Sequence, residues 1–204
     1  MKIKLYSCLV GLFLLWISAP VSAQIVEEVR VGVLAHNLNV GINPGNENQE
    51  PGENIQAEIV FGSPPLLDRR WLGRPRPYIV GSVNTAGSTS FGGFGLNWNF
   101  TLGKKKRWSF DSSLGYIVHN GEIDIPFPED PSNPANSEFD NNNILFGSRD
   151  LFRSTFAFNR NIGERWGLQI IYEHLSHGQI LGQGRNQGND SAGVRAIYRF
   201  GPKG

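Results

Sequence analysis

Apolar and polar residues alternate with a period of two along several segments of roughly ten residues each. Such alternation predicts β-strands, because successive side chains of a strand point to opposite faces. The five clearest segments are 93–102, 108–119, 152–159, 166–176 and 191–200. Weaker alternation marks 29–33, 55–61 and 78–85, and no helical stripe of useful length accompanies these eight segments. The pattern therefore predicts an all-β chain.

The two faces of the clearest strands differ sharply in polarity. One face carries large aromatic and aliphatic residues, and the other carries Asn, Asp, Glu, Arg and Gly. A soluble barrel fills its interior with the apolar set, whereas a lipid-embedded barrel turns that set outward around a polar interior. Aromatic residues near strand ends favour the membrane arrangement; they are Trp98, Trp108, Trp166, Tyr172 and Tyr198. We predict an eight-stranded antiparallel transmembrane β-barrel, with a soluble lipocalin-like barrel or sandwich as the alternative.

The lengths of the connections test this topology. If the first strand starts in the periplasm, the outer loops are 37–52, 86–89, 120–147 and 177–189, and the inner turns are 63–74, 103–107 and 161–165. Outer-membrane barrels have short periplasmic turns and longer external loops. Three of the four outer loops are long and two of the three inner turns are short, although 63–74 is longer than this pattern predicts.

The first 23 residues have the features of a secretory signal peptide. Lys2 and Lys4 precede an apolar run at 9–17, and Val21-Ser22-Ala23 provides small residues for cleavage. We predict a signal peptide at 1–23 and a barrel domain at 24–204. The single cysteine, Cys8, belongs to the signal peptide, so the mature chain has no disulfide framework.

Composition excludes several other classes of protein. The 19 Lys and Arg residues balance 18 Asp and Glu residues, which argues against a nucleic-acid-binding protein. The mean hydropathy of −0.28 argues against a bundle of transmembrane helices. The four histidines fall on different predicted elements without a ligand spacing, so we expect neither a metal nor another cofactor.

Candidate chemistry is concentrated in the last two predicted strands. The outward parity of Trp166 continues to His174 and Ser176, and polar groups that face lipid are costly unless they are paired. A hairpin centred near Gly182 would place the outward Asp190 opposite His174. A hydroxyl, an imidazole and a carboxylate on one patch suit a nucleophile, a general base and an orienting acid.

Two further assignments complete this hypothesis. Backbone N–H groups at His177, Gly178 and Gln179 are the candidate donors to an oxyanion. Glu173 is a rival acid, but its parity places it inside the barrel. The alternative is that His174 and Ser176 simply meet headgroups or water at the rim.

Three stretches of this hairpin resemble a known family. Tyr172-Glu173-His174-Leu175-Ser176, Asn186-x-Gly188-x-Asp190 and Gly193-Val194-Arg195-x-x-Tyr198-Arg199-Phe200 are similar to the C-terminal hairpin of the PagL-type lipid A 3-O-deacylases. The resemblance implies an eight-stranded outer-membrane barrel that removes the ester-linked 3-hydroxyacyl chain at position 3 of lipid A. It also implies that Ser176 is the nucleophile, His174 the base and Asp190 the acid, where the family often carries Glu. His177 stands where the family usually has an Asn of the oxyanion hole.

The sequence is therefore interpreted as an outer-membrane esterase without a cofactor. Its expected partners are lipopolysaccharide in the outer leaflet and membrane lipids, with no nucleic acid. The sequence leaves open whether the protein forms a homodimer. One alternative is a non-enzymatic small barrel that acts through loops 37–52 and 120–147. Another is a soluble periplasmic lipid carrier, which would require the aromatic faces to point inward.

Overall fold

Eight antiparallel strands close into a barrel in which each strand pairs with its neighbours in sequence and the last pairs with the first. The computed structural model describes residues 25–38, 50–126 and 134–200. The strands are β1 (Val26–Ala35), β2 (Glu53–Phe61), β3 (Arg76–Asn84), β4 (Phe91–Leu102), β5 (Trp108–His119), β6 (Asp150–Ile162), β7 (Trp166–Ser176) and β8 (Asn189–Arg199). The predicted eight-stranded barrel is confirmed, and the predicted signal peptide at 1–23 lies outside the described residues.

The apolar face of the barrel points outward. Ile170 is 68% exposed on β7, and the outward aromatic residues Phe94, Phe156 and Phe158 are exposed in the same way. A continuous apolar belt of this kind fits lipid and not water, because soluble proteins rarely expose large apolar patches. This orientation excludes the soluble-carrier reading, which requires the aromatic faces to point inward. Among the described residues, no helix is long and apolar enough to cross a membrane.

The interior of the barrel contains paired charges beside a cluster of buried apolar side chains. Glu58 on β2 lies 2.9 Å from Arg30, 3.1 Å from Arg153 and 3.2 Å from Arg195, and all four side chains are buried. Buried charges are tolerated only when partners offset the loss of hydration. This cluster of Glu58, Arg30, Arg153 and Arg195, called the lumen cluster below, satisfies that requirement across four strands.

The third outer connection contains a helix that the alternation did not predict. Helix α1 (Pro134–Asn142) interrupts the segment expected to be a loop. It has a proline at its first position, as helices often do, but no marked apolar stripe in its sequence. It is held to the last outer loop by an ion pair of 2.7 Å between Asp140 and Arg185. Because this contact is tertiary, local periodicity could not reveal the helix.

Two inner turns differ in their bounds from the prediction. β6 continues to Ile162, so the turn expected at 161–165 is shortened to 163–165. The long turn at 62–75 contains one 3-10 turn at Arg70–Leu72 and folds against the outer wall. There the indole N–H of Trp98 donates to the Leu72 carbonyl oxygen over 2.9 Å.

A buried carboxylate ties the outer mouth of the barrel together. Glu50 accepts hydrogen bonds from His36 Nε2 at 2.9 Å, from the Thr89 amide at 3.0 Å and from the Ile144 amide at 3.3 Å. Asn54 donates to the other ring nitrogen of His36, which assigns the Nε2–H tautomer. Burial alone would raise the pKa of Glu50, but the hydrogen bonds from His36 and Thr89 outweigh it and hold that pKa below its ordinary value.

Acidification should therefore loosen the outer mouth. Because the pKa of Glu50 is lowered, its contribution to stability is complete above the ordinary value of 4.5 and is lost as the pH falls through the folded-state value. We expect the hydrogen-exchange protection factors of the Thr89 and Ile144 amides to be lower at a pH well below 4.5 than at neutral pH. A Glu50→Gln variant should show low protection at both pH values. Equal, pH-independent protection in both proteins would contradict this role.

Candidate active site

The hairpin of β7 and β8 sets the position of the candidate site. In its antiparallel register His174 lies directly opposite Asp190, as the parity argument predicted. His174 and Ser176 are both half-buried on the outer wall, close to the outer end of β7, where the strand ends at Ser176. The site therefore opens sideways from the barrel, toward the surrounding membrane.

The imidazole of His174 is paired with a buried carboxylate. Its Nδ1 lies 2.7 Å from Asp190 Oδ1, and Asp190 is only 3% exposed although it has outward parity. A carboxylate that accepts the Nδ1–H hydrogen bond fixes the tautomer in which Nε2 is the basic nitrogen. The pair thus has the arrangement that a general base and its orienting acid require.

Tyr172 is a third member of this group that the sequence analysis missed as a site residue. Its hydroxyl donates to the same Asp190 oxygen that His174 contacts, also at 2.7 Å. Tyr172 lies two residues before His174 and shares its outward parity, and its cross-strand partner is the small Ala192. The shared parity was the available signal. The carboxylate is consequently held from two directions.

Ser176 is on the same face but is not joined to the base. Among the hydrogen bonds of the described residues, none links Ser176 to His174. Alternate residues of a strand are about 7 Å apart along the chain, so side-chain rotation has to close the gap. Catalytic hydrogen bonds are often long without substrate and tighten in the complex. The structure thus brings His174 and Asp190 together and leaves Ser176 nearby.

A second hydroxyl lies beside the base. Ser154 on β6 is the direct cross-strand partner of His174, and it is half-buried on the outer wall. Directly opposed residues in antiparallel strands have Cβ atoms about 4.5–5.5 Å apart. Ser154 is therefore a neighbour of the imidazole and a rival to Ser176 for its proton-accepting nitrogen.

Of the three candidate oxyanion donors, two are already engaged. The His177 amide donates to Asn186 Oδ1 over 3.2 Å, and the Gln179 amide donates to Nδ1 of His177 over 3.1 Å. The His177 ring also contacts the Arg185 carbonyl through Nε2 at 2.8 Å, so the buried imidazole secures the loop. For the Gly178 amide, no hydrogen bond occurs within the described part of the chain. Gly178 and Gln179 have positive φ values of 60° and 57°, which form this tight turn.

The rival acid belongs to the interior. Glu173 is buried in the lumen, where it forms an ion pair with Arg153 and accepts a hydrogen bond from Gln56. It therefore lies on the opposite side of the wall from His174. In the described ranges, no three His, Cys, Asp or Glu side chains come together as a metal-binding group.

Comparisons with known proteins identify the fold. No family model and no curated protein matches the chain. Among solved structures, the crystal structure of the outer membrane enzyme PagL is similar with a TM-score of 0.54 at 10% identity, over 85% of this chain and 99% of that one. Ail of Yersinia pestis gives a TM-score of 0.45 at 9% identity, over 87% of this chain and 100% of that one. The designed barrel TMB2.3 gives 0.43 at 11%, over 88% and 98%. At these identities the likeness to PagL concerns the fold alone.

Proposed function

We propose that this protein is an outer-membrane esterase that removes the ester-linked 3-hydroxyacyl chain from position 3 of lipid A. The observation that carries the proposal is the His174–Asp190 pair on the outer wall, with a hydroxyl group on the same face. A polar pair that faces lipid lowers the stability of the barrel, so its presence marks a candidate functional site. A substrate that resides in the membrane can reach such a pair by lateral diffusion, whereas a water-soluble substrate cannot.

The proposed mechanism assigns one role to each residue. Ser176 Oγ attacks the ester carbonyl while His174 Nε2 takes its proton, and Asp190 holds the imidazole and stabilises its charged form. The Gly178 amide is the available donor to the oxyanion. His174 then returns the proton to the departing lipid hydroxyl, which leaves an acyl group on Ser176. A water molecule activated by His174 releases the fatty acid.

The surroundings of the pair suit an amphipathic substrate. Phe152 and Phe156 flank Ser154 on the same outward face of β6, and Ile170 is exposed farther down β7. Phe156 and Ile170 offer an apolar wall for acyl chains below the pair, whereas Phe152 lies level with Ser176. Lipopolysaccharide in the outer leaflet would place its esters at this level, between its acyl chains and its sugars. The protein would reach that position in the outer membrane after loss of the signal peptide.

The test is mass spectrometry of lipid A from Gram-negative cells that express the chain. We expect the wild type to remove one 3-hydroxyacyl chain and Ser176→Ala to leave lipid A unchanged, because the hydroxyl is the attacking group. Ser154→Ala is the matched control, since it removes the other hydroxyl beside His174, and it should keep deacylating lipid A. Heat-modifiable gel migration should show that all three barrels are folded. Full activity of Ser176→Ala would exclude Ser176 as the nucleophile.

A non-enzymatic barrel is the second candidate. It is favoured by the missing hydrogen bond between Ser176 and His174 within the described residues. In that case the outer loops would carry the function, and the His174–Asp190 pair would only meet headgroups. Unchanged lipid A in cells whose wild-type barrel is folded in the outer membrane would support this candidate over the esterase.

A further inference from the structure

The two ends of the barrel carry opposite charge. The inner turns at 62–75, 103–107 and 163–165 contain eight basic residues and two acidic ones. The basic residues are Arg69, Arg70, Arg74, Lys104, Lys105, Lys106, Arg107 and Arg165. The outer connections, by sequence, contain eight acidic residues and only two basic ones, Arg149 and Arg185. The charge of the chain is nearly balanced overall, so this separation is a property of the topology.

Tryptophan is concentrated at the same inner end. The four tryptophans of the described residues all lie in or beside the inner turns; they are Trp71, Trp98, Trp108 and Trp166. Trp71 is 82% exposed, and Leu66 in the same turn is 79% exposed. Indole rings favour the headgroup level of a membrane, because they combine an apolar body with a polar N–H group.

The long inner turn lies against the lipid-facing wall. Besides the hydrogen bond from Trp98 to Leu72, Gly73 packs on the Trp98 ring in a left-handed conformation with φ of 72°. A Cβ at Gly73 would lie 3.0 Å from Trp98 Cδ1, so both this tight contact and the positive φ favour glycine. The turn therefore presents Trp71 and its flanking arginines beside the barrel, where lipid headgroups lie, and not below it.

Four of these eight cations have no acidic partner among the described residues. The exposed side chains of Arg69, Arg70, Lys104 and Lys105 form no ion pair with any described residue. Arg74 pairs with Asp68 at 2.9 Å, but both side chains are largely exposed. A buried or paired set of cations would serve the fold, whereas unpaired and exposed cations at headgroup level attract anionic lipids.

We propose that Arg69, Arg70, Trp71, Lys104 and Lys105, here called the inner rim, bind the headgroups of anionic phospholipids in the periplasmic leaflet. The charge selects a phosphate-bearing anionic headgroup, and the exposed indole selects a membrane over a soluble anion. Each Lys or Arg near an anionic surface contributes about a fivefold preference. The inner rim should therefore enrich anionic lipids around one end of the barrel. This inference is independent of the proposed esterase activity.

Quenching of tryptophan fluorescence by brominated lipids tests the proposal, because every tryptophan of the mature chain lies at the inner end. The full mature chain is reconstituted in phosphatidylcholine vesicles that contain a minor fraction of either brominated phosphatidylglycerol or brominated phosphatidylcholine. We expect stronger quenching by the brominated phosphatidylglycerol. About 1 M salt should remove the excess, since it shortens the screening length to about 3 Å.

Variants locate the effect. Replacing Arg69, Arg70, Lys104 and Lys105 together by Gln should abolish the excess quenching, whereas Arg149→Gln with Arg185→Gln at the outer end should preserve it. Equal quenching of the wild type by the two brominated lipids would overturn the proposal. Excess quenching by brominated phosphatidylglycerol that persists in the fourfold variant or in high salt would also overturn it. The salt measurement uses the wild type alone, so it decides the matter even if the fourfold variant does not fold.

Discussion

An Asp190→Asn variant is expected to fold as a barrel and to deacylate lipid A roughly 10³–10⁴-fold more slowly than the wild type. The Asp190 carboxylate accepts a hydrogen bond from His174 Nδ1 over 2.7 Å. An amide at this position can donate its N–H to Nδ1, which favours the tautomer whose Nε2 is already protonated. His174 could then no longer accept the proton of the serine. The measurement is the initial rate of fatty-acid release by purified protein in mixed micelles.

Two controls separate this effect from a loss of structure. Tyr172→Phe removes the second hydrogen bond to Asp190 but leaves the pair intact, so we expect about a tenfold loss, in kcat more than in KM. Glu173→Gln removes the rival acid from the lumen and should keep the specific activity of the folded fraction. If Glu173→Gln lost activity while Asp190→Asn kept it, the orienting acid would be Glu173 and not Asp190.

Glu58→Gln should lower the free energy of unfolding by about 3–5 kcal/mol. Glu58 is 1% exposed and is the carboxylate shared by Arg30, Arg153 and Arg195 in the lumen cluster. A neutral amide would leave these guanidinium groups buried with less opposing charge. The NH2 group that replaces one carboxylate oxygen would also be a donor facing the N–H donors of the guanidinium groups. Urea unfolding of the barrel in micelles, followed by tryptophan fluorescence, measures the change.

The matched control is Glu53→Gln at the exposed start of the same strand. It removes the same charge where water can solvate it, so its free energy of unfolding should stay within about 0.5 kcal/mol of the wild-type value. Equal midpoints for Glu53→Gln and Glu58→Gln would show that the lumen cluster does not stabilise the barrel.

The fold could be predicted because a barrel strand shows its environment directly in its sequence. In β5 every second residue from Ser109 to His119 is buried and the residues between them are exposed or half-buried, so the alternation extends over its full length. The helix at Pro134–Asn142 had no such signal, since Asp140 is held by Arg185 from another loop. Contacts between outer loops depend on the closed barrel and not on local periodicity.

The part of the candidate site that depends on the register of β7 and β8 could be predicted from the sequence. The β7–β8 hairpin centred near Gly182 placed Asp190 opposite His174, and the structure confirms that pairing. Ser154 was missed because the turn before β7 was expected at 161–165. That turn centres one residue too early and would pair His174 with Phe152, whereas the observed turn at 163–165 pairs it with Ser154. A shift of one residue in a turn centre moves cross-strand partners by two.

The engagement of His177 could not be predicted by parity. Its ring is fixed by the carbonyl oxygen of Arg185 and the amide of Gln179, both in the loop that follows β7. Loop backbone groups carry no pattern in the sequence that indicates where they point. The same limit applies to the Gly178 amide, whose availability depends on the local turn.

The lumen cluster also determines what the barrel cannot do. Arg30, Arg153 and Arg195 are the largest fully buried side chains among the described residues, and they are joined to Glu58 inside the barrel. A hydrated ion or a small antibiotic would have to displace guanidinium groups from their carboxylate partners to pass. The barrel interior is therefore filled, and we expect insertion of the barrel to leave the electrical conductance and solute permeability of the membrane unchanged.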